Sequence, residues 1–331
     1  METGNAIKSG NASKAKWLIF VAIIAALILL PFYASEYGVM IFLLIMLYMA
    51  LGQMWNLLGG YAGLVSLGQQ IFIGIGAYAV AMITVVAGLH FVVGIILGGV
   101  ISALFAWLIS KPIFKMSGVY FTIGTWIVAQ TLALIFSNLE FFRYAQGFNI
   151  TVTYTMTQAQ IYYMALACGV GAVVLVFVLL RSKLGLALMA IRDNPSAAEA
   201  MGVEVYKTKL KCFLISGFAT GMIGAVFYMY LTYVTPFAVF SIDWTVAMTF
   251  LVIIGGMGTM EGPIVGAVIY VILRQYLYNF PGISMVILGA VAIIIIIVAP
   301  KGIMGSLQSK FGFEILSPRR KLSHFSKEMS K

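Results

Sequence analysis

The chain has 331 residues, 62% of them hydrophobic and only 9% charged, with a formal net charge of +10. A soluble domain carries about 25% charged residues, and no fold in water hides this much apolar surface. The composition excludes a soluble globular protein and calls for a bilayer as outer solvent. The excess charge falls between and after the apolar runs, which points to cytoplasmic loops and not to a nucleic-acid partner.

Residues 1–16 hold Lys8, Lys14 and Lys16 and read as a cytoplasmic N-terminal segment. The apolar run from Trp17 to Ala34-Ser35 has the outline of a signal peptide. It reaches spanning length, and the total count needs it, so it is expected to be retained. A helix crosses the hydrocarbon core in about 20 apolar residues. Ten candidates follow in order: 17–35, 38–58, 70–88, 91–110, 118–139, 161–181, 212–234, 244–258, 262–280 and 283–300. The predicted fold is an all-α polytopic membrane helix bundle of about ten transmembrane helices. Residues 17–300 form the transmembrane domain, 182–211 its long cytoplasmic loop, and 301–331 a basic cytoplasmic tail.

Charge placement supports this count. With the N-terminus in the cytoplasm, Lys111, Lys115, the basic residues of 182–211 and those of the tail all fall inside. Of 20 Lys and Arg residues only Arg143 and Arg274 fall on the outer half, as the positive-inside rule requires. Both termini are therefore expected in the cytoplasm. The outer segment 140–160 is polar, and the tail after Gly305 is expected to be mobile or to lie against anionic lipid.

Signals of catalysis are sparse. His90 and His324 lie at a loop edge and in the tail, and Cys168 and Cys212 lack metal-ligand spacing. No catalytic residue and no metal site is predicted, and there is no phosphate-binding loop of the G-x-x-x-x-G-K-[ST] type. If ATP drives this chain, another subunit supplies the ATPase. Glu36, Glu140, Asp243 and Glu261 all stand at span ends, which disfavours an ion-coupled secondary transporter. Arg274 is the one charge within a span. It either snorkels to the outer interface or faces a pore.

The segment from Gln53 to Gly76 holds six glycines between 59 and 76. Such a run does not hold a uniform helix cheaply. Broken backbone at membrane depth survives only where protein buries it or where it lines a cavity. Gln53, Asn56, Gly60, Gly63, Ser66, Gln69 and Gln70 are the candidate substrate-path residues. Close helix packing through small residues, as in Gly94-xxx-Gly98 and Gly217-xxx-Gly221, is the other reading. A faint echo links Gly59-Gly60-Tyr61-Ala62-Gly63 with Gly255-Gly256-Met257-Gly258 and leaves an inverted repeat, with broken helices, open.

In the loop 182–211, Asn194 suits an N-cap, Pro195 the first helical position and Gly202 the C-terminal left-handed position. They frame a helix over 195–201. So short a helix is unstable alone in water and must dock. Arg192, Asp193, Ser196 and Glu199 supply polar contacts beside it.

From Gly185 to Val203 the loop resembles the coupling loop of M-type permease subunits of branched-chain amino acid ABC importers. Its Arg192-Asp193-Asn194-Pro195 and Ala197-Ala198-Glu199-Ala200-Met201-Gly202 carry the likeness. Trp55 to Gln69 and Ile254 to Ala267 resemble the same family, in the same order, so the likeness covers roughly 38–300. It lacks the Leu-Pro ending of the general importer motif. The resemblance implies a bacterial inner-membrane protein with a second homologous permease, two ABC ATPase subunits and an extracytoplasmic substrate-binding protein as partners. ATP and Mg would then be used by the partners, with no cofactor in this chain. It further implies that Arg192, Asp193, Asn194, Pro195, Ser196, Glu199 and Gly202 couple to the ATPase. Leucine, isoleucine and valine are the implied solutes. Permeases for urea or other small amides belong to the same family, and a solute channel and a membrane enzyme are more distant readings.

Overall fold

The structure, a computed structural model, describes residues 22, 24–278 and 280–311. The N-terminal segment 1–16 and the tail from 312 onward lie outside it. The bundle is all-α. Helix α1 covers Ile24–Tyr33. Helix α2, Glu36–Asn56, is capped by Ser35, whose hydroxyl accepts from the Gly38 amide at 3.2 Å. It runs into a π-helical turn, Leu57–Tyr61, and after an extended stretch α3 follows over Gln70–Ala81. Then come α4 (Phe91–Ile113), α5 (Val119–Asn138) and α6 (Gln158–Arg181). Two loop helices, α7 (Lys183–Asp193) and α8 (Pro195–Ala200), lead to α9 (Val205–Leu231). The chain closes with α10 (Pro236–Val239), α11 (Asp243–Gly255), α12 (Gly262–Tyr276), α13 (Pro281–Val298) and α14 (Gly302–Phe311).

Among the described residues, seven helical runs are long and apolar enough to cross a membrane. Three shorter apolar ones, Ile24–Tyr33, Gln70–Val86 and Gly262–Tyr276, stand where the remaining predicted spans fall. The chain is a multi-pass membrane protein. Helices α2, α3 and α9 form its centre, and the α3 residues from Gln70 to Ala81 are all buried. Their close approach depends on small residues. A Cβ on Gly221 would stand 2.7 Å from the Gly98 carbonyl oxygen, and one on Gly98 would stand 3.0 Å from the Gly76 Cα. Helix α13 leaves most of its described side chains exposed, as a helix facing lipid or another subunit must.

The two ends of the bundle are well defined. At one, strand β1 (Phe148–Asn149) of the 140–160 segment pairs antiparallel with β2 (Tyr233–Val234), directly after α9. At the other, α7, α8 and the turns after α2 and α11 lie together. The 27 residues of α9 separate these ends by about 40 Å. Segments assigned to one side by charge therefore meet each other in the fold.

Three boundaries depart from the sequence expectation. Helix α9 starts at Val205, seven residues before the apolar run, because Lys207, Lys209 and Lys211 extend the helix into the aqueous boundary. Lysine is a good helix former with an amphipathic stem, which hydropathy alone does not register. The loop 182–211 is consequently mostly helical. The span expected over 244–258 stops at Gly255, since Gly256 takes φ +123°. Finally, the start of the tail is helical and docked: α14 packs on α11 and α12, and Gln308 Nε2 donates to Glu261 at 3.0 Å.

Candidate coupling site where two helix breaks meet

The first break begins where Gly59 and Gly60 remove the side chains that would hold α2 in register. Gly59 sits against the Trp55 ring, and a Cβ there would come within 3.0 Å of it. The chain turns at Gly63, φ +69°, a conformation glycine adopts without penalty. It then doubles back along α2. Leu64 N donates to Leu58 O at 2.9 Å, and Trp55 Nε1 donates to Ser66 O at 3.0 Å. On its other edge the extended segment is held by α5. Thr122 Oγ1 donates to Val65 O at 2.7 Å, and Leu67 N donates to Thr125 Oγ1 at 3.2 Å. Extended backbone inside the bundle thus finds the partners that an apolar medium demands.

Burial alternates along this segment. Leu64, Ser66 and Gly68 face inward, while Gly63 and Val65 are exposed. Gln69 then ties the start of α3 to α9: its Nε2 donates to Ser216 Oγ at 3.2 Å and its Oε1 accepts from Thr220 Oγ1 at 3.3 Å. Ser216 in turn donates to Met54 O. Gln70 Oε1 accepts from the Thr245 hydroxyl of α11.

The second break lies between α11 and α12. Gly256 and Gly258 both take positive φ, so the peptide groups of 256–261 leave the helical ladder. Side chains of α2 satisfy them. Asn56 accepts from Gly258 N and donates to Thr259 O, both at 2.8 Å, and Gln53 Nε2 donates to Met260 O at 2.8 Å. Thr259 closes the turn itself, donating to Gly256 O at 2.7 Å and accepting from Gly262 N at 3.0 Å. The two glycine-rich segments that echo each other in sequence are thus in contact. A Cβ on Gly60 would lie 2.7 Å from Gly258 N. Both follow helices that approach the same end of the bundle, which is not the relation an inverted repeat requires.

The third element is the α7–α8 pair. Asn194 Oδ1 accepts from Ala197 N at 3.1 Å, Pro195 occupies the first turn, and Gly202 takes φ +85°. The caps stand as the sequence predicts, and the helix ends at Ala200. Only Ala198 of α8 is buried; Pro195, Ser196 and Glu199 project outward, followed by exposed Met201. Helix α7 was not foreseen as a helix. It anchors the pair through buried Leu188 and Ile191.

Arg192 joins the three elements. Its Nη1 donates to Gly60 O at 2.9 Å, while Nε and Nη2 hold Asp193 Oδ1 at 3.1 and 3.0 Å. Its stem passes Gly63, where an added Cβ would lie 3.3 Å from Arg192 Cγ, and Nη1 lies 3.5 Å from the Cβ position of Gly258. One guanidinium therefore touches the first break, borders the second and belongs to the last turn of α7. Tyr61 and Glu261, both buried, complete the surroundings.

The structure brings Gln53, Asn56, Gly60, Gly63 and Arg192 to one place. Ser66, Gln69 and Gln70 lie further along the returning segment. Asp193 pairs with Arg192, and Ser196 and Glu199 stand on the open face of α8. Gln53, Asn56, Ser66, Gln69 and Gln70 are all buried. Sequence reasoning missed Thr122, Thr125, Ser216 and Thr259. The i, i+3 spacing of Gln53 with Asn56, and of Thr122 with Thr125, was the available signal: each pair shares one helix face.

The family described as branched-chain amino acid transport system, permease component, matches residues 37–297. The chain is 27% identical over 325 residues to the high-affinity branched-chain amino acid transport system permease protein LivM of Salmonella typhimurium, covering 89% of this chain and 76% of that protein. The LivM protein of Escherichia coli (strain K12) gives the same identity and coverage. A probable branched-chain amino acid transport permease protein LivH of Methanocaldococcus jannaschii is 30% identical over 141 residues, 40% of this chain and 44% of that one. No solved structure gives a significant match. With most of its length matched, from α2 to α13, the chain belongs to the branched-chain amino acid transport permease family.

Proposed function

We propose that this chain is the translocation subunit of an ABC importer for leucine, isoleucine and valine, with the loop helices α7 and α8 as its coupling element. A binding protein outside delivers the solute, a second homologous permease completes the path, and two separate ATPase subunits use ATP and Mg. The end of the bundle that carries α7 and α8 faces the cytoplasm of a bacterial cell, and both termini lie there.

The observation that carries this reading is the Arg192 bridge to Gly60. The exposed residues Pro195, Ser196, Glu199 and Met201 dock in an ATPase groove. Motion of α8 moves Arg192, two residues before its Asn194 cap, and Arg192 pulls on the Gly60 carbonyl at the break in α2. A hydrogen bond to a charged group contributes about 1.5–3 kcal/mol, enough to shift a two-state equilibrium about ten- to a hundredfold. The solute passes the open edge of the returning segment at Gly63 and Val65. Gln53, Asn56, Gly60, Ser66, Gln69 and Gln70 form and brace that wall.

Uptake of labelled leucine into proteoliposomes tests the proposal. Uptake is expected only with the second permease, the ATPases, the binding protein and ATP together. Robust uptake by this chain alone would overturn it.

A further inference from the structure

Helices α4 and α6 both pack on α9 but leave a cleft between them, of about 620 Å³. Ala103 lines it from α4, Cys168, Gly171 and Leu175 from α6, and Ile215 and Phe218 from α9. The lining is almost wholly apolar, and the cleft opens sideways at mid-bundle. Small residues create it: a Cβ on Gly171 would meet no atom within 4 Å. An opening of this kind in the membrane takes a hydrocarbon guest.

One end of the cleft carries charge. Lys211 lies four residues before Ile215 and seven before Phe218 on α9. Seven residues are two turns to within about 20°, so Lys211 continues the cleft-lining stripe about 6 Å beyond Ile215. Lys211 is exposed. Lys111, in the last turn of α4, lies near the same end, where Ser110 Oγ and the Tyr206 hydroxyl of α9 are 3.2 Å apart. Nearby, Lys207 pairs with Glu204 at 2.8 Å, and the Arg181 guanidinium lies over the Phe177 ring, 4.9 Å from its centroid. Among the described residues neither Lys111 nor Lys211 is in an ion pair. An apolar slot ending in two uncompensated ammonium groups matches an acyl chain ending in an anionic head group.

The geometry points to a binding site for one anionic phospholipid, with an acyl chain in the α4–α6–α9 cleft and its phosphate at Lys211 and Lys111. The lipid belongs to the leaflet bordering α7 and α8, which is the cytoplasmic leaflet on the proposed orientation. The binding itself does not depend on that assignment. A lipid here would fix α9 against α6, directly beyond the loop helices.

Native mass spectrometry of the full chain with its partner permease, purified in detergent with equal phosphatidylglycerol and phosphatidylethanolamine, tests the site. The wild type is expected to retain phosphatidylglycerol in preference. Lys211→Gln should lower that preference about fivefold, from the loss of one surface charge near the head group. Gly171→Leu should remove retention of both lipids while the permease pair stays intact, since its side chain enters open space. Unchanged retention in both variants would overturn the proposal. Loss of the partner permease from Gly171→Leu would also overturn it, because the cleft would then be a subunit interface. Transport is not read in this experiment, so its outcome is separate from that of the importer assignment.

Discussion

Arg192 Nη1 donates to the Gly60 carbonyl at 2.9 Å across 132 residues of sequence. Gly60 belongs to the π-helical turn that ends α2, so its carbonyl is free of regular helical pairing constraints. Arg192 lies in the last turn of α7 and stands two residues before Asn194, the cap of α8. This single bond links the outward-facing α8 to the break in α2.

The cap of α8 can be tested by itself. Asn194→Ala removes the acceptor for Ala197 N and should cost about 1 kcal/mol of local helix stability. Affinity for the ATPase, measured by surface binding of solubilised permease, should fall about fivefold. Asn194→Ser should restore most of it. Equal behaviour of the Ala and Ser variants would show that the cap does not matter.

The Glu199 side chain projects from α8 and, among the described residues, makes no hydrogen bond or ion pair within the chain. Glu199→Ala should therefore leave membrane insertion and thermal stability unchanged while ATPase docking weakens. A drop in the melting temperature of the isolated chain would instead assign Glu199 to internal packing.

Asn56 offers a sharper test of the wall. It donates to Thr259 O and accepts from Gly258 N. Asn56→Asp keeps the acceptor but places carboxylate oxygen against a carbonyl. Asn56→Leu leaves both peptide groups unsatisfied, at about 1–3 kcal/mol each. Both variants should lower the thermal midpoint of the purified chain and expose the 256–261 turn to limited proteolysis. A protease pattern identical to wild type would mean that α2 does not hold the second break.

The glycines separate into two groups. Gly255 packs directly on the Gly262 carbonyl and Gly266 on that of Leu251. Gly255→Ala and Gly266→Ala should prevent normal packing of α11 on α12 and reduce yield of folded protein in the membrane. Gly171→Ala meets nothing and should be neutral or stabilise by about 0.5–1 kcal/mol. Measured thermal midpoints check the contrast.

Much of this architecture could be read from residues alone. The basic residues put the ten expected spans in an order, and the fold brings together the segments that this order puts on one side. Asn194, Pro195 and Gly202 announce α8 because caps are local chemistry. The glycines at 59–63 announce a break for the same reason. The extent of α9 could not be read from hydropathy, since its first two turns are polar and lie beyond the apolar run. Nor could the partners of Gln53, Asn56 and Gln69. A buried carboxamide has the same sequence signature whether it faces a solute or a displaced backbone. Here each is engaged with protein groups that lie far away in the chain. Arg192 meets Gly60 only through tertiary packing, which no local pattern encodes.

The most direct measurement of the coupling account is the ratio of leucine imported to ATP hydrolysed by the complete reconstituted complex carrying Arg192→Ala. Without the bond to Gly60, α8 can still engage the ATPase but no longer pulls on the break in α2. Hydrolysis is then expected to persist while uptake falls about tenfold, so the ratio drops by a similar factor. A ratio equal to that of the wild type, at normal insertion, would contradict the account.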